Sequence, residues 1–224
     1  MHDSSVTQPS YRFGGVLLAL GSVIFIAGTA MYAMLKPELG IPAAESSYNE
    51  ALQEAVRERT LATRAGRVTF IGDMLVAAAA LALLSRRKLE RGDLERVGWS
   101  LISVSLVPAF VFDSLFGTAL PHLAAKAPAT FHAFKSWFDV QFAAGNIPFG
   151  VGGMATFFAD SRSAQPLLPK SIDYLAICVC GLALVGGVGY LLGLFVGWQL
   201  NGPMLIAGGL CLGVLGVQIA RKES

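Results

Sequence analysis

Charge is scarce in this sequence: Asp, Glu, Lys and Arg make up 14% of the 224 residues, against about a quarter in ordinary soluble domains. With 54% of the residues hydrophobic and a mean hydropathy of +0.59, the chain reads as an integral membrane protein. The net charge of +2 is small, and no basic run carries interleaved aromatics. That excludes a surface tracking a phosphate backbone, so nucleic acid is not an expected partner. Cysteine is nearly missing. Cys178, Cys180 and Cys211 fall inside apolar runs without the two-residue gap of a thiol–disulfide motif, which leaves them as small filler between helices. Also lacking are a serine elbow, a histidine–glutamate metalloprotease pair, an aspartate-rich diphosphate motif and a convincing internal repeat. The sequence therefore names no reaction, and it gives an inverted-repeat transporter no support.

What is present is a series of long apolar runs. They predict an all-α, polytopic membrane bundle of six transmembrane helices, at about 13–35, 67–84, 97–119, 130–159, 172–196 and 203–220, in a single domain covering 1–224. The first run offers small residues at Gly28-Thr29-Ala30 but exceeds the ~7–15 apolar residues of a signal peptide, so it is expected to be an uncleaved anchor. Lys36-Pro37 ends it. Ser47-Tyr48-Asn49-Glu50 has the form of a capping box, and a polar helix is expected from there, continuing into the second span because no proline interrupts it. Glu50, Glu54, Arg57, Glu58 and Arg64 turn most of that helix to water, with Leu52, Ala55, Val56 and Leu61 toward the bundle.

The most basic loop, 85–96, carries five Lys or Arg in twelve residues. Together with Arg162, Lys170, Arg221 and Lys222 it predicts both termini in the cytoplasm, and the inner membrane if the cell is bacterial. Only Lys126 and Lys135 oppose them on the short outer loops, while the longer first outer loop mixes both signs. In the last two spans Gly189, Gly193 and Gly197, and Gly209 and Gly213, recur every four residues. That pattern suits close backbone approach. It predicts a packed hairpin turning at Trp198–Pro203, and a face for partner subunits as well as lipid.

The polar residues within apolar sequence form one candidate constellation. Asp73 and Asp113 each lie about six residues, roughly 9 Å, from the outer ends of their spans. His132, Asp139 and Asn146 are seven apart, which returns to nearly one helix face. Pro108 and Pro148 each remove an amide donor, and freed backbone in a membrane is tolerated where it is buried or lines a cavity. Asn146 has a plain structural use beside the Pro148 break. Two carboxylates without a counter-charge share a proton or hold a cation, unless Arg64 or Arg67 reaches down to Asp73. His122 and His132 flank an outer turn and, with Asp113 or Asp139, have the chemistry of a metal site, although their spacing matches no metal signature and no haem motif accompanies them. Phe131, Phe134, Trp137, Phe138 and Phe142 read as an interfacial belt or the mouth of a pocket for a lipid-like ligand.

Three functions are compatible with these features. The first is an outward-facing polar pocket formed by helices 2 to 4, with Asp73, Asp113, Asp139, Asn146 and His132 binding a cation, a proton or a small amphipathic ligand. The second is a non-catalytic accessory subunit of a larger membrane complex. The third is a membrane-embedded enzyme using Asp or His, with a metal at His122 and His132.

Overall fold

The computed structural model describes the backbone of residues 11–40, 43–85, 92–194 and 198–222, and their side chains except at 198–203 and 222. Most of the basic loop, 86–91, lies outside the described residues. The described chain is helical, without a strand. It runs through α1 (Tyr11–Ala33), a one-turn α2 (Pro37–Gly40), a 3-10 turn (Glu45–Ser47), α3 (Tyr48–Arg57), α4 (Arg59–Leu84) and α5 (Asp93–Ser114). A π-helical turn (Leu115–Ala119) joins α5 to α6 (Leu120–Lys126), followed by α7 (Pro128–Arg162), α8 (Lys170–Leu191) and α9 (Trp198–Lys222). Six helices are long and apolar enough to cross a membrane, counting α5 through α6 as one stretch of 34 residues. The protein is an integral membrane helical bundle with a polar helix, α3, between its first and second spans.

Most differences from expectation have local causes. Ser47 does not cap α3: its hydroxyl donates to the carbonyl of Ala44 at 2.7 Å, closing the preceding turn instead. The polar helix runs into the second span through a single bend at Glu58, where φ is −104° and ψ 31°. The fifth span stops short of residue 196 because Gly193 takes φ +66°. The amide of Leu194 then reaches back to Gly189 O and that of Gly193 to Tyr190 O, both at 2.9 Å, the Schellman closure that a left-handed glycine permits. At Trp198–Pro203 the backbone is already helical, as the first turns of α9.

The spans contact one another in the order α1, α4, α5, α7, α8, α9, and α9 closes back on α1, so the bundle is a ring. α8 and α9 touch, but α9 packs far more extensively along α1, and α8 along α7. Glycines permit the tightest approaches. A Cβ on Gly72 of α4 would lie 2.7 Å from Phe25 Cα of α1, and one on Gly66 would lie 2.7 Å from Gly117 Cα in the π turn. One on Gly216 would lie 2.6 Å from Ala19 N, and one on Gly187 2.6 Å from Ala143 O. Helices joined this way leave no room for even a methyl group between their backbones.

Two apolar layers fill the ring. One, toward the chain's described ends, includes Leu18, Ala80, Leu83, Trp99, Ile102, Leu215 and Ile219. The other lies where the connection after α1 meets α3, α6 and the start of α7, with Leu35, Leu39, Ala51, Ala55, Phe116, Leu120, Phe131, Phe138 and Phe142. The connection after α1 is thus a buried cap on the bundle. At 35 residues α7 is longer than a ~30 Å hydrocarbon core requires; its first turn, Pro128–Thr130, is exposed, while Phe131 and Lys135 are buried against this cap. Phe131, Phe138 and Phe142 are core residues, and Trp137 alone of that aromatic group is exposed, at 45%.

Gly72→Ala and Gly216→Ala are expected to lower stability by about 1–3 kcal/mol each, since overpacking must displace backbone. Gly181→Ala, whose new Cβ would meet only Met154 Sδ at 3.6 Å, should be neutral or slightly stabilising. Thermal melts of the purified protein in detergent distinguish the three.

Candidate functional site

The close packing of α1 on α4 aligns two polar stripes. Along α1, Ser22, Phe25, Thr29 and Tyr32 recur at spacings of three and four and face the bundle; along α4, Thr69, Asp73 and Val76 do the same. The approach of α4 to the end of α5 at Gly66 and Gly117 then sets Asp113 beside Asp73. The two carboxyls are within hydrogen-bond reach of each other. Tyr32 donates its hydroxyl hydrogen to Asp113 Oδ1 at 3.1 Å and is itself within reach of Thr69. Asp73 is 3% exposed and Asp113 fully buried, and the Oδ2 atom of each has no hydrogen-bond partner.

These groups edge a central cavity of ≈ 70 Å³. Asp73 and Tyr32 line it directly, with Asp113 behind them. α5 adds Ser105, Leu106, Ala109 and Phe112; α7 adds Phe142, Gly145, Asn146 and Phe149; α9 adds Leu205, Gly209 and Leu212. The cavity therefore draws on five spans, including the first and the last, where the sequence pointed to helices 2 to 4. From Ser22 to Tyr32 it covers ten residues of α1, about 15 Å at 1.5 Å per residue, or half the hydrocarbon thickness. Its deep end rests on the apolar layer of Leu18, Ala80 and Ile102.

No Lys or Arg among the described residues forms an ion pair with Asp73 or Asp113, and Arg64 and Arg67 are exposed. Asn146 does reach the cavity but does not patch the Pro148 break: its Nδ2 is buried without a partner, and α7 continues through the proline.

Asp139 and His132 sit elsewhere. A spacing of seven puts them near one face of α7 with Asn146, and each step of seven advances about 10.5 Å along the axis. The three residues therefore occupy successive layers. Asp139 lies in the cap layer, where Lys135, fully buried one turn earlier, is ion-paired to it. Tyr48 donates its hydroxyl to Asp139 Oδ2 at 3.0 Å, and the amide of Ala43 donates to the same oxygen at 3.2 Å. The Tyr48 phenol is pushed above its ordinary range by burial and by the Asp139 carboxylate beside it. Between this cluster and the cavity stand Phe112, Phe138 and Phe142, with Phe112 at centroid distances of 5.6 and 5.2 Å from the other two. Asp139 thus fastens the first connection to α7, while Glu54 takes the amide of Lys36 at 3.2 Å.

His132 is half-buried, 6.0 Å from the rings of both Tyr48 and Phe131, and His122 is exposed on α6. Among the described residues no three His, Cys, Asp or Glu side chains converge as a metal-binding group. Tyr32 and Lys135 are the residues that sequence reasoning missed. The α1 stripe carried the first, and the i, i+4 spacing of Lys135 and Asp139 on a helix carried the second.

Compared with protein-family models, with curated proteins and with solved structures, the chain matches none.

Lys135→Met should cost about 3–5 kcal/mol, because it strands a buried carboxylate. Lys135→Met combined with Asp139→Leu should recover more than half of that loss, read from detergent-solubilised melting curves as a double-mutant cycle.

Proposed function

We propose that this protein is a membrane-embedded binding protein in which Asp73 and Asp113 take up a proton or a small cation. The observation that carries the reading is the carboxyl pair itself: two buried acids in contact, each with an unpartnered oxygen, without a basic side chain in ion-pair reach among the described residues. Burying an ionised carboxylate without compensation costs many kcal/mol. A proton held between the two acids removes one charge, and a bound cation or a second proton removes the other. Tyr32 orients Asp113 and steadies its charge.

The size of the cavity narrows the choice of ligand. An apolar cavity of about 150 Å³ accepts benzene, and a water needs about 10–15 Å³ on the same kind of measure. At ≈ 70 Å³ the space suits a few waters, a small ion or a polar group of a few heavy atoms. The apolar layer beneath it supports a dead-end site over a continuous pore. Of the glycines proposed as a face for partner subunits, Gly209 and Gly213 pack on α1 of the same chain, Gly193 forms the left-handed end of α8, and Gly197 lies outside the described residues.

We further place the termini in the cytoplasm and the cavity's capped end on the opposite side. The buried Lys135 no longer counts as a loop charge, which leaves Lys126 as the basic residue on that side's second connection and sharpens the asymmetry of positive charge.

The double variant Asp73→Asn/Asp113→Asn is expected to insert and to melt no lower than the wild type. It should lose the buried-carboxyl band seen in infrared difference spectra between acidic and alkaline buffer, together with any cation-dependent stabilisation. Retention of both signals in the folded double variant would reject the site. Single cysteines replacing Arg96 and Lys126 should label from opposite faces of sealed vesicles, the first only from the cytoplasmic face; labelling from one face rejects the topology.

A further inference from the structure

The hydrogen bonds around the cavity specify more than a positive charge. At its acid end the hydroxyl groups have already donated their hydrogens, Thr29 to Phe25 O at 2.9 Å, Thr69 to Ala65 O at 2.8 Å and Tyr32 to Asp113, and farther along α5 Ser105 likewise donates to Ile102 O at 2.6 Å. What these groups still offer is lone pairs, beside the unpartnered Oδ2 atoms of Asp73 and Asp113. This end needs a donor that carries charge. On α7 the position is reversed. Asn146, 5% exposed, lines the same cavity with an amide nitrogen that donates to nothing, so it needs an acceptor. Ser22, 1% exposed, also lines the cavity with an unpartnered hydroxyl that can serve either way.

We propose that the ligand is a short amino alcohol, its primary ammonium group on Asp73 and its hydroxyl oxygen accepting from Asn146. This assignment rests on the carboxyl-pair reading above and names its ligand. A lone proton satisfies the acids but leaves Asn146 unanswered. Waters answer the hydrogen bonds but bring no charge. A metal ion would be met by the carboxylates and hydroxyl lone pairs, but it accepts no hydrogen bond and leaves the Asn146 amide nitrogen unanswered. An ammonium ion suits those walls, because Phe25, Phe112, Phe142 and Phe149 line the cavity and aromatic faces attract alkylammonium groups while covering methylene carbons. Charge also balances. With one proton held between Asp73 and Asp113 the pair carries a single negative charge, which one ammonium neutralises. The cavity's size limits the ligand to a few heavy atoms.

The test is calorimetric titration of the purified full-length protein in detergent with ethanolamine, ethylamine, ethanol and sodium chloride. Ethanolamine is expected to bind about 3–10-fold more tightly than ethylamine, the worth of one neutral hydrogen bond, and ethanol should not bind detectably. Asp73→Asn/Asp113→Asn should weaken both amines by more than about 10-fold, as expected for a charge-assisted contact. Asn146→Leu should bring ethanolamine down to the ethylamine level and leave ethylamine unchanged. Equal binding of the two amines by the wild type overturns the proposal without any variant, and so does an Asn146→Leu effect of equal size on both. If sodium binds, or the infrared carboxyl signal persists, while neither amine binds, the amino alcohol is wrong and the carboxyl-pair reading stands. If no cation binds and the carboxyl signal is also absent, both fall.

Discussion

Hydrocarbon offers no hydrogen bonds, so a carboxylate inside a bundle must be answered by the protein or by something the protein binds. This molecule contains both cases within one fold. Asp139 is answered completely, by an ammonium one turn away, a phenol and a backbone amide. Asp73 and Asp113 are answered by each other and by one phenol, with an oxygen on each left over. The contrast is one of surroundings: the first cluster ties the cap to α7, and in the second Asp73 lines the cavity with Asp113 behind it.

The ring arrangement makes that space possible. Six spans in a closed circle leave an axis that side chains must fill, and large residues fill it at both levels flanking the cavity, Trp99 on one side and Phe116 and Phe138 on the other. In between, the α1, α4 and α5 positions carry serine, threonine, tyrosine and aspartate. Glycine contacts hold those three helices so close that the short polar side chains meet across their interface. Had Gly66 or Gly72 carried a side chain, α4 would stand farther from its neighbours, and the acids would lose contact.

The membrane class and the six spans were legible from composition and run length, because hydrophobic length is a one-dimensional property. The pairing of Asp73 with Asp113 was also legible, since two antiparallel neighbouring helices with acids at equal depth face a short search. Asp139 and His132 were counted with the pocket from their face on one helix; what ties Asp139 into the cap is Tyr48 and Ala43, distant in the chain, which no spacing along a single helix shows. Lys135 was assigned to an outer loop because a charge near a helix start ordinarily reaches water, and here the cap covers it. The cap itself was not legible. Its polar helix carries charges enough to sit in water, and the small residues Ala51 and Ala55, with the contacts of Ala43, Tyr48 and Glu54 to distant residues, bind it to the bundle.

That cap alters what a connection between spans means here. Drawn as a topology diagram, residues 34–47 are a hydrophilic link that tolerates a tag or a reporter domain. In three dimensions Leu35, Leu39 and Ala43 are buried at 4%, 1% and 4% exposure, and at these positions the link is part of the wall of the folded body. A fusion placed there would split the hydrophobic interior and not decorate a surface, so silence from a reporter at that position reports damage and says nothing about sidedness.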